Sequence, residues 1–150
     1  MKPLKKFNEY INSGVIKKQK PDIERSAYLS KEAERKEKSL RELLDKIGLK
    51  EDNANDIIEY CYNILIFLIR SKLFEKGYVA KGYSSHEAEI SYLFEMKFLE
   101  EEIKFMNELR YIRNGILYYG KRLDKEYAEK VINFLDRIYN KLIKSVKKNK

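Results

Sequence analysis

With 150 residues, the chain has the length of one domain that can enclose a single hydrophobic core. Hydrophobic residues make up 43% and charged residues 37%, so the chain is too apolar to be disordered and more charged than an ordinary domain. A single Cys excludes an internal disulfide, and one Cys with one His argues against a structural zinc site or a Cys–His nucleophile pair. We therefore predict neither a metal nor another cofactor.

The net charge is +8, which permits a nucleic acid or an acidic protein as partner. Much of this charge lies in "MKPLKK", "IKKQK" and "IKSVKKNK", and basic ends of this kind usually serve solubility. The N-terminus lacks the apolar run of a signal peptide, and the longest apolar run, "ILIFLI" (64–69), is far shorter than the ~20 residues of a membrane span. We expect a cytoplasmic protein with no membrane partner. The abundance of Lys, Glu and Ile is typical of proteins from thermophiles.

Residues 1–20 form a basic N-terminal segment that contains a short helix in "PLKKFNEYINSG" and that we expect to be the least ordered part of the chain. Residues 21–150 read as a single helical bundle. Its first long helix begins with Pro21 and a capping Asp22 and ends at Gly48. Its second, about residues 53–76, is apolar nearly all round, which is typical of the centre of a bundle.

A capping box from Ser84 to Glu87 begins a short helix, "SSHEAEISYLFEM", with His86 in its first turn. The positive end of a helix disfavours a protonated imidazole there. A long helix follows over residues 98–119 and a last one over 124–146, and no alternating strand of useful length is present. The predicted fold class is all-α, an up-and-down four-helix bundle with an additional short helix.

The helix over residues 98–119 has two different faces at ~100° per residue. A core stripe runs along one side through Phe98, Phe105, Leu109, Ile112, Ile116 and Tyr119. The far side mixes polar and apolar residues, which fits a second buried contact, most simply a two-fold dimer. The predicted dimer interface consists of Leu99, Ile103, Met106, Asn107, Arg110, Leu117 and Tyr118.

Arg110, Arg113 and Asn114 on this far side offer donors suited to phosphate oxygens, and a dimer axis would double them. We expect them to contact RNA or a nucleotide. Two alternatives stay open, namely bonding within the interface only and a simple solvated face. A nuclease would also need an acid or base, and the phenol of Tyr118 is a poor base at neutral pH.

A carboxylate on the apolar central helix needs a partner if it is buried. Two candidates, Asp56 and Glu59, lie in the first half of that helix. We therefore predict that one of them pairs with Arg110 or Arg113.

The motif "LRYIRNGILYYG", following a central apolar helix and "SSHEAE", resembles the HEPN superfamily of small helical bundles. The wider match is to an uncharacterised archaeal group through "PDIERSAYLSKEAERK", "DNANDIIEYCYNILIFLIR", "SSHEAEISYL" and "LDKEYAEKVI", which together cover most of residues 21–136. The superfamily signature is Arg-Asn or Arg-Asp, three residues, then His. Arg113 and Asn114 match its first two positions, and Tyr118 stands where the His would be.

The resemblance implies a homodimer with facing motifs, metal-independent RNA cleavage in competent members, and roles in toxin–antitoxin, defence and RNA-processing systems. By this resemblance the catalytic positions are Arg113, Asn114 and Tyr118, but Tyr in place of His makes nuclease activity doubtful. The sequence thus predicts a dimeric RNA- or nucleotide-binding protein, the toxin-like part of a two-component system. The alternative is a non-enzymatic homodimer that binds a protein partner such as a minimal nucleotidyltransferase.

Overall fold

The computed structural model describes residues 1–147 of the chain. Helices dominate these residues, so the predicted helical class is confirmed. The elements in chain order are α1 Phe7–Asn12, β1 Ile16–Lys18, α2 Ile23–Lys46, α3 Ala54–Lys76, β2 Tyr78–Ala80, α4 Ser85–Glu95, α5 Glu100–Tyr119 and α6 Lys125–Lys147. None of the helices within the described residues is long and apolar enough to cross a membrane.

Helix α3 lies at the centre and packs against α2, α4, α5 and α6. Its apolar residues surround the helix, and those from Ile57 to Ile69 that face neighbours are fully or almost fully buried, as predicted. On the α2 side the neighbouring backbones come close because small residues lie between them. There the Ser71 hydroxyl donates to the backbone carbonyl oxygen of Ser26 at 2.7 Å.

The sequence showed no strand, yet β1 and β2 pair as a short antiparallel ribbon in which Ile16 lies opposite Ala80 and Lys18 opposite Tyr78. Three residues are too few for an alternating pattern to be visible. Ile16 of β1 is buried, whereas the two lysines after it are exposed.

The N-terminal segment belongs to the same core as the rest of the chain. Phe7, Tyr10 and Ile16 are 2%, 4% and 2% exposed, and the ring of Phe7 packs edge-on against Tyr92 at 4.8 Å. The short helix expected within residues 1–20 is present as α1. The boundary placed after residue 20 therefore does not coincide with a break in the core.

The chain between β1 and α2 is bonded to the end of α3. The backbone amides of Gln19 and Asp22 donate to the carbonyl oxygens of Gly77 and Phe74 at 2.8 and 2.9 Å. Gly77 has φ +82°, and a Cβ at this position would lie 2.5 Å from the carbonyl oxygen of Gln19. Glycine is therefore required here both for its left-handed conformation and for the close approach of the two backbones.

Helix α5 corrects part of the predicted dimer interface. Ile103, Met106 and Asn107 are 2%, 0% and 3% exposed within this chain's own core, so their assignment to the interface is wrong. The prediction assigned the second buried face of α5 to a partner chain, whereas α5 packs against α3 and α4 of its own chain and also reaches α6, where the ring centroids of Phe105 and Phe134 lie 4.5 Å apart. Because it has neighbours on several sides, the N-terminal half of α5 has no apolar face free for a second chain.

The C-terminal part of α5 is exposed instead. Leu117 is 45%, Tyr118 72% and Tyr119 84% exposed, and Leu99 before the helix is 56% exposed. The core position predicted for Tyr119 is wrong, because this last residue of α5 is exposed rather than covered by a neighbouring helix. Leu99, Leu117 and Tyr118 thus remain available to a partner.

Candidate functional site

Side chains from three helices meet where α3, α4 and α5 pack together. The two members from each helix are three residues apart on α4 and α5 and eight apart on α3, which places them on one face of their helix. We call this group the arginine–histidine cluster, and its members are Tyr62 and Arg70 from α3, His86 and Glu89 from α4, and Arg110 and Arg113 from α5.

Arg113 lies over the aromatic ring of Tyr62, with the guanidinium carbon 5.2 Å from the ring centroid. Tyr62 is completely buried, so its ring gives Arg113 a rigid surface to rest on. Within residues 1–147, the Arg113 side chain has no ion pair with a carboxylate and no hydrogen bond. Its guanidinium donors are therefore available to an anion.

Arg110 lies one turn before Arg113 and is oriented by Asn107, whose side-chain oxygen accepts a hydrogen bond from Arg110 Nε at 3.0 Å. Asn107 is 3% exposed and is itself held by the core. Buried Asn107 is thus a support for Arg110 rather than an interface residue. The terminal nitrogens of Arg110 have no partner within the described part of the chain.

The predicted pairing of Asp56 or Glu59 with these arginines is wrong, since neither carboxylate forms an ion pair with Arg110 or Arg113 in residues 1–147. The register of α3 against α5 explains the difference. The Asn55 side chain donates to the carbonyl oxygen of Lys121 at 2.9 Å, so the start of α3 lies beside the end of α5. This register puts Tyr62, and not Glu59, opposite Arg113.

The carboxylate of the cluster comes from α4. Glu89 accepts two hydrogen bonds from Arg70, at 2.6 Å from Nε and 2.9 Å from Nη2. The two side chains are 6% and 24% exposed, so this bidentate pair fixes α4 on α3 in a largely water-free place. Because Glu89 and Arg70 neutralise each other, the positive charge left in the cluster is that of Arg110 and Arg113.

His86 is half-buried in the first turn of α4, and its ring is stacked against that of Tyr62 at 25°. Its Nδ1 lies 3.3 Å from the Tyr62 hydroxyl. Burial lowers the pKa of His86; Glu89 opposes this shift, whereas the positive charges of Arg70, Arg113 and Arg110 add to it. The neutral imidazole expected from the sequence is therefore favoured, although burial is the largest cause.

Tyr62 remains a neutral phenol, because burial raises the pKa of its hydroxyl well above the usual value. A phenol that keeps its proton can either donate to the imidazole or accept from it. The Tyr62–His86 contact therefore joins two uncharged groups beside two cations.

The remaining predicted site residues lie further along α5. Asn114 is partly exposed and makes no side-chain hydrogen bond within residues 1–147. Tyr118 is 72% exposed and lies ~7.5 Å further along the helix axis than Arg113. The structure thus brings Arg110 and Arg113 together with His86 and leaves Tyr118 at the exposed helix end.

Sequence reasoning missed three members of the cluster, namely Tyr62, Arg70 and Glu89. Two weak signals were present. Arg70 ends an otherwise apolar run two turns after Tyr62, and Glu89 follows His86 by one turn. Neither signal identifies the neighbouring helix, so neither would have brought these residues to Arg113.

Comparison of the chain with protein families, curated proteins and solved structures found no match. The chemistry available to the cluster follows from its own geometry. It offers two cationic forks for phosphate oxygens and one neutral imidazole within the same group.

Proposed function

We propose that this protein is a HEPN-like, dimeric RNA- or nucleotide-binding protein, with its four long helices arranged as an up-and-down bundle. One observation carries the proposal: Arg113 rests on a buried tyrosine with no carboxylate partner among the described residues. A partly buried guanidinium without a counter-ion is costly unless an anion binds to it. Phosphate is the anion whose geometry a guanidinium fork matches best.

Arg110, Asn114 and the overall charge support the same ligand. Arg110 lies one turn away, and within residues 1–147 its terminal donors and the side-chain amide of Asn114 have no hydrogen-bond partner. The net charge of +8 would attract a polyanion to the protein as a whole. A phosphodiester backbone, which repeats its charge, suits two arginines better than a single carboxylate does.

The binding experiment is a fluorescence anisotropy titration of a short labelled single-stranded RNA at several salt concentrations. Arg113→Ala should raise Kd by roughly 10-fold or more, as expected for losing a hydrogen-bonded charged group. It should also lower the slope of log Kd against log salt by roughly 0.7 for each phosphate that the variant no longer neutralises. Arg35→Ala is the matched control, because Arg35 is an exposed arginine of α2 paired with Glu32.

Both variants remove one positive charge, so a general loss of attraction would affect them equally. Equal binding by wild type and Arg113→Ala, or an equal loss in the two variants, would contradict a phosphate site at Arg113. A parallel titration with ATP in place of RNA shows whether the site binds a single nucleotide or requires a polymer.

The homodimer is proposed through the exposed end of α5, where Leu117 and Tyr118 lie on the surface. Sedimentation at several protein concentrations should give a dimer for the wild type and a monomer for Leu117→Glu. Ile47→Glu is the control, because Ile47 is an exposed apolar residue, 56% exposed, at the end of α2. If both variants were monomers, or if both remained dimers, the result would contradict this interface.

A second candidate function rests on the same exposed residues. Three tyrosines and a leucine in the last nine residues of α5 are unusual on a solvated surface and would suit a protein partner. In this reading the protein is a non-enzymatic interaction protein, and its partner is a protein such as a minimal nucleotidyltransferase. Unchanged RNA affinity in Arg113→Ala together with loss of the dimer in Leu117→Glu would favour it.

A further inference from the structure

The arginine–histidine cluster contains a group that phosphate binding alone does not need. His86 is the one histidine of the chain, and it lies against Tyr62, the same ring on which Arg113 rests. The folded chain therefore places an imidazole beside the two arginines, although the arginine helix carries none.

The charged groups that act on His86 and the hydroxyl that contacts its ring come from three helices. Tyr62 and Arg70 approach it from α3, Glu89 lies one turn along α4, and Arg110 and Arg113 act on it from α5. The carboxylate of Glu89 is already engaged by Arg70 at both oxygens, so it is not available to hold a proton for the imidazole. The group that contacts the ring directly is the hydroxyl of Tyr62.

That contact fits two tautomers of the imidazole, and one of them leaves Nε2 free. When Nδ1 carries the proton and donates to the Tyr62 oxygen, Nε2 has an unshared electron pair. A neutral, oriented imidazole is the usual general base for removing a proton from a hydroxyl near neutral pH. Two arginines beside it would hold the phosphate next to that hydroxyl and stabilise the charge that develops on it.

We propose that His86 is the catalytic proton-transfer residue of this site and that the substrate is RNA. This proposal rests on the proposed RNA-binding function. Nε2 of His86 accepts the proton of a ribose 2′-hydroxyl, and the 2′-oxygen forms a bond to the adjacent phosphorus. The bond from phosphorus to the 5′-oxygen of the next nucleotide breaks, and that oxygen takes the proton from the His86 imidazolium. The products are a 2′,3′-cyclic phosphate and a 5′-hydroxyl, and no co-reactant is consumed.

This assignment moves the acid–base role away from Tyr118. The tyrosine is exposed at the end of α5, whereas His86 lies within the group formed by the arginines. The sequence motif lacks its histidine, and the fold supplies one from a different helix.

The experiment uses the full chain, a 5′-labelled single-stranded RNA and EDTA in the buffer. Wild type should cleave the RNA and leave a 2′,3′-cyclic phosphate, and a substrate with a 2′-deoxyribose at the cleaved position should stay intact there. His86→Gln should lower the cleavage rate by roughly 100-fold or more, the usual contribution of a general acid–base residue. Its Kd for RNA should stay within a few-fold of wild type, because the arginines remain. Arg35→Ala, purified in the same way, should cleave at the wild-type rate.

A second variant guards against misfolding. If His86→Gln loses its helical circular dichroism, His86→Ala is used instead, and added imidazole should restore part of its cleavage. RNA binding without cleavage by wild type, or undiminished cleavage by a folded His86 variant, would overturn the role of His86 and leave RNA binding intact. Absence of RNA binding by wild type would instead overturn the proposed function itself.

Discussion

Removal of Arg70 should destabilise the protein strongly, because it leaves the Glu89 carboxylate alone in the core. Glu89 is 6% exposed and would lose both of its hydrogen bonds in Arg70→Met. Removing one partner of a buried ion pair lowers the free energy of unfolding by about 3–5 kcal/mol. The 24% exposure of Arg70 shows that some water reaches the pair, so we expect the lower end, about 3 kcal/mol.

The two partners should differ, since their exposures differ. Glu89→Met leaves a guanidinium that can turn toward water, and we expect a loss of about 1–2 kcal/mol. The double variant buries no charge and should lie within about 1–2 kcal/mol of the wild type. The summed cost of the single variants would then exceed that of the double variant by at least about 2 kcal/mol, as expected for two residues in contact.

Urea unfolding followed by circular dichroism measures all three variants. With a slope of about 2 kcal/mol per molar urea, a loss of 3 kcal/mol lowers the midpoint by about 1.5 M. Arg35→Met is the control, because its pair with Glu32 is exposed and should leave the midpoint unchanged. A shift below about 0.5 M for Arg70→Met, or additive costs in the double variant, would refute the reasoning from burial.

Three further outcomes are expected. Gly77→Ala should lower Tm clearly more than Gly14→Ala, because both residues have a positive φ (+82° and +83°) but only at Gly77 would a Cβ lie 2.5 Å from the Gln19 carbonyl oxygen; equal losses would contradict this clash. Burial raises the pKa of Cys61 to about 12, so iodoacetamide at pH 8 should label it only when urea unfolds the chain, and rapid labelling of the native protein would contradict the burial. The pKa of His86 is lowered in the folded state, so below about pH 6.5 the unfolded chain binds more protons at this residue than the folded chain does. The free energy of unfolding therefore decreases as the pH falls through this range. The midpoint of wild type should therefore fall relative to His86→Gln between pH 7.5 and 5.5 in urea titrations, and a constant difference would refute it.

The helices could be predicted because their signals are local. The apolar run of α3 and the glycine that ends it are visible in the sequence, and the structure ends α3 at Lys76, directly before Gly77. The ribbon could not be predicted in the same way. Ile16 and Ala80 are far apart in the chain, and a three-residue strand carries too little pattern to show that it has a partner.

Only the part of the candidate site that lies on a single helix could be predicted from the sequence. Arg110 and Arg113 could be assigned to one face of α5, since their spacing alone decides it. Which residue of α3 stands opposite them depends on how far the two helices are shifted along each other, and the Asn55–Lys121 hydrogen bond that fixes the shift joins two loop-proximal residues. The helical spacing contains no such information, so it cannot show that Tyr62, rather than Asp56 or Glu59, lies opposite Arg113.

The same limit explains the errors in the interface. The helical spacing shows which side chains share a face of α5, but it cannot show how many neighbours α5 has. Met106 is completely buried because other helices of the same chain cover it, whereas Leu117 on a similar face is exposed. Whether an apolar helix face belongs to the core or to an interface depends on which other helices cover it, and the sequence of the helix alone does not show this.

The ribbon has a consequence for how the chain is made. Residues 16–18 leave the ribosome about 60 residues before their partners at 78–80, an interval of roughly 3–12 s at ordinary rates of synthesis. During this time Phe7, Tyr10 and Ile16 have no surface on which to pack. The lysines around them oppose association with other chains over that interval. The basic composition that made the segment resemble a detached tail thus suits a part of the core that must wait for the rest.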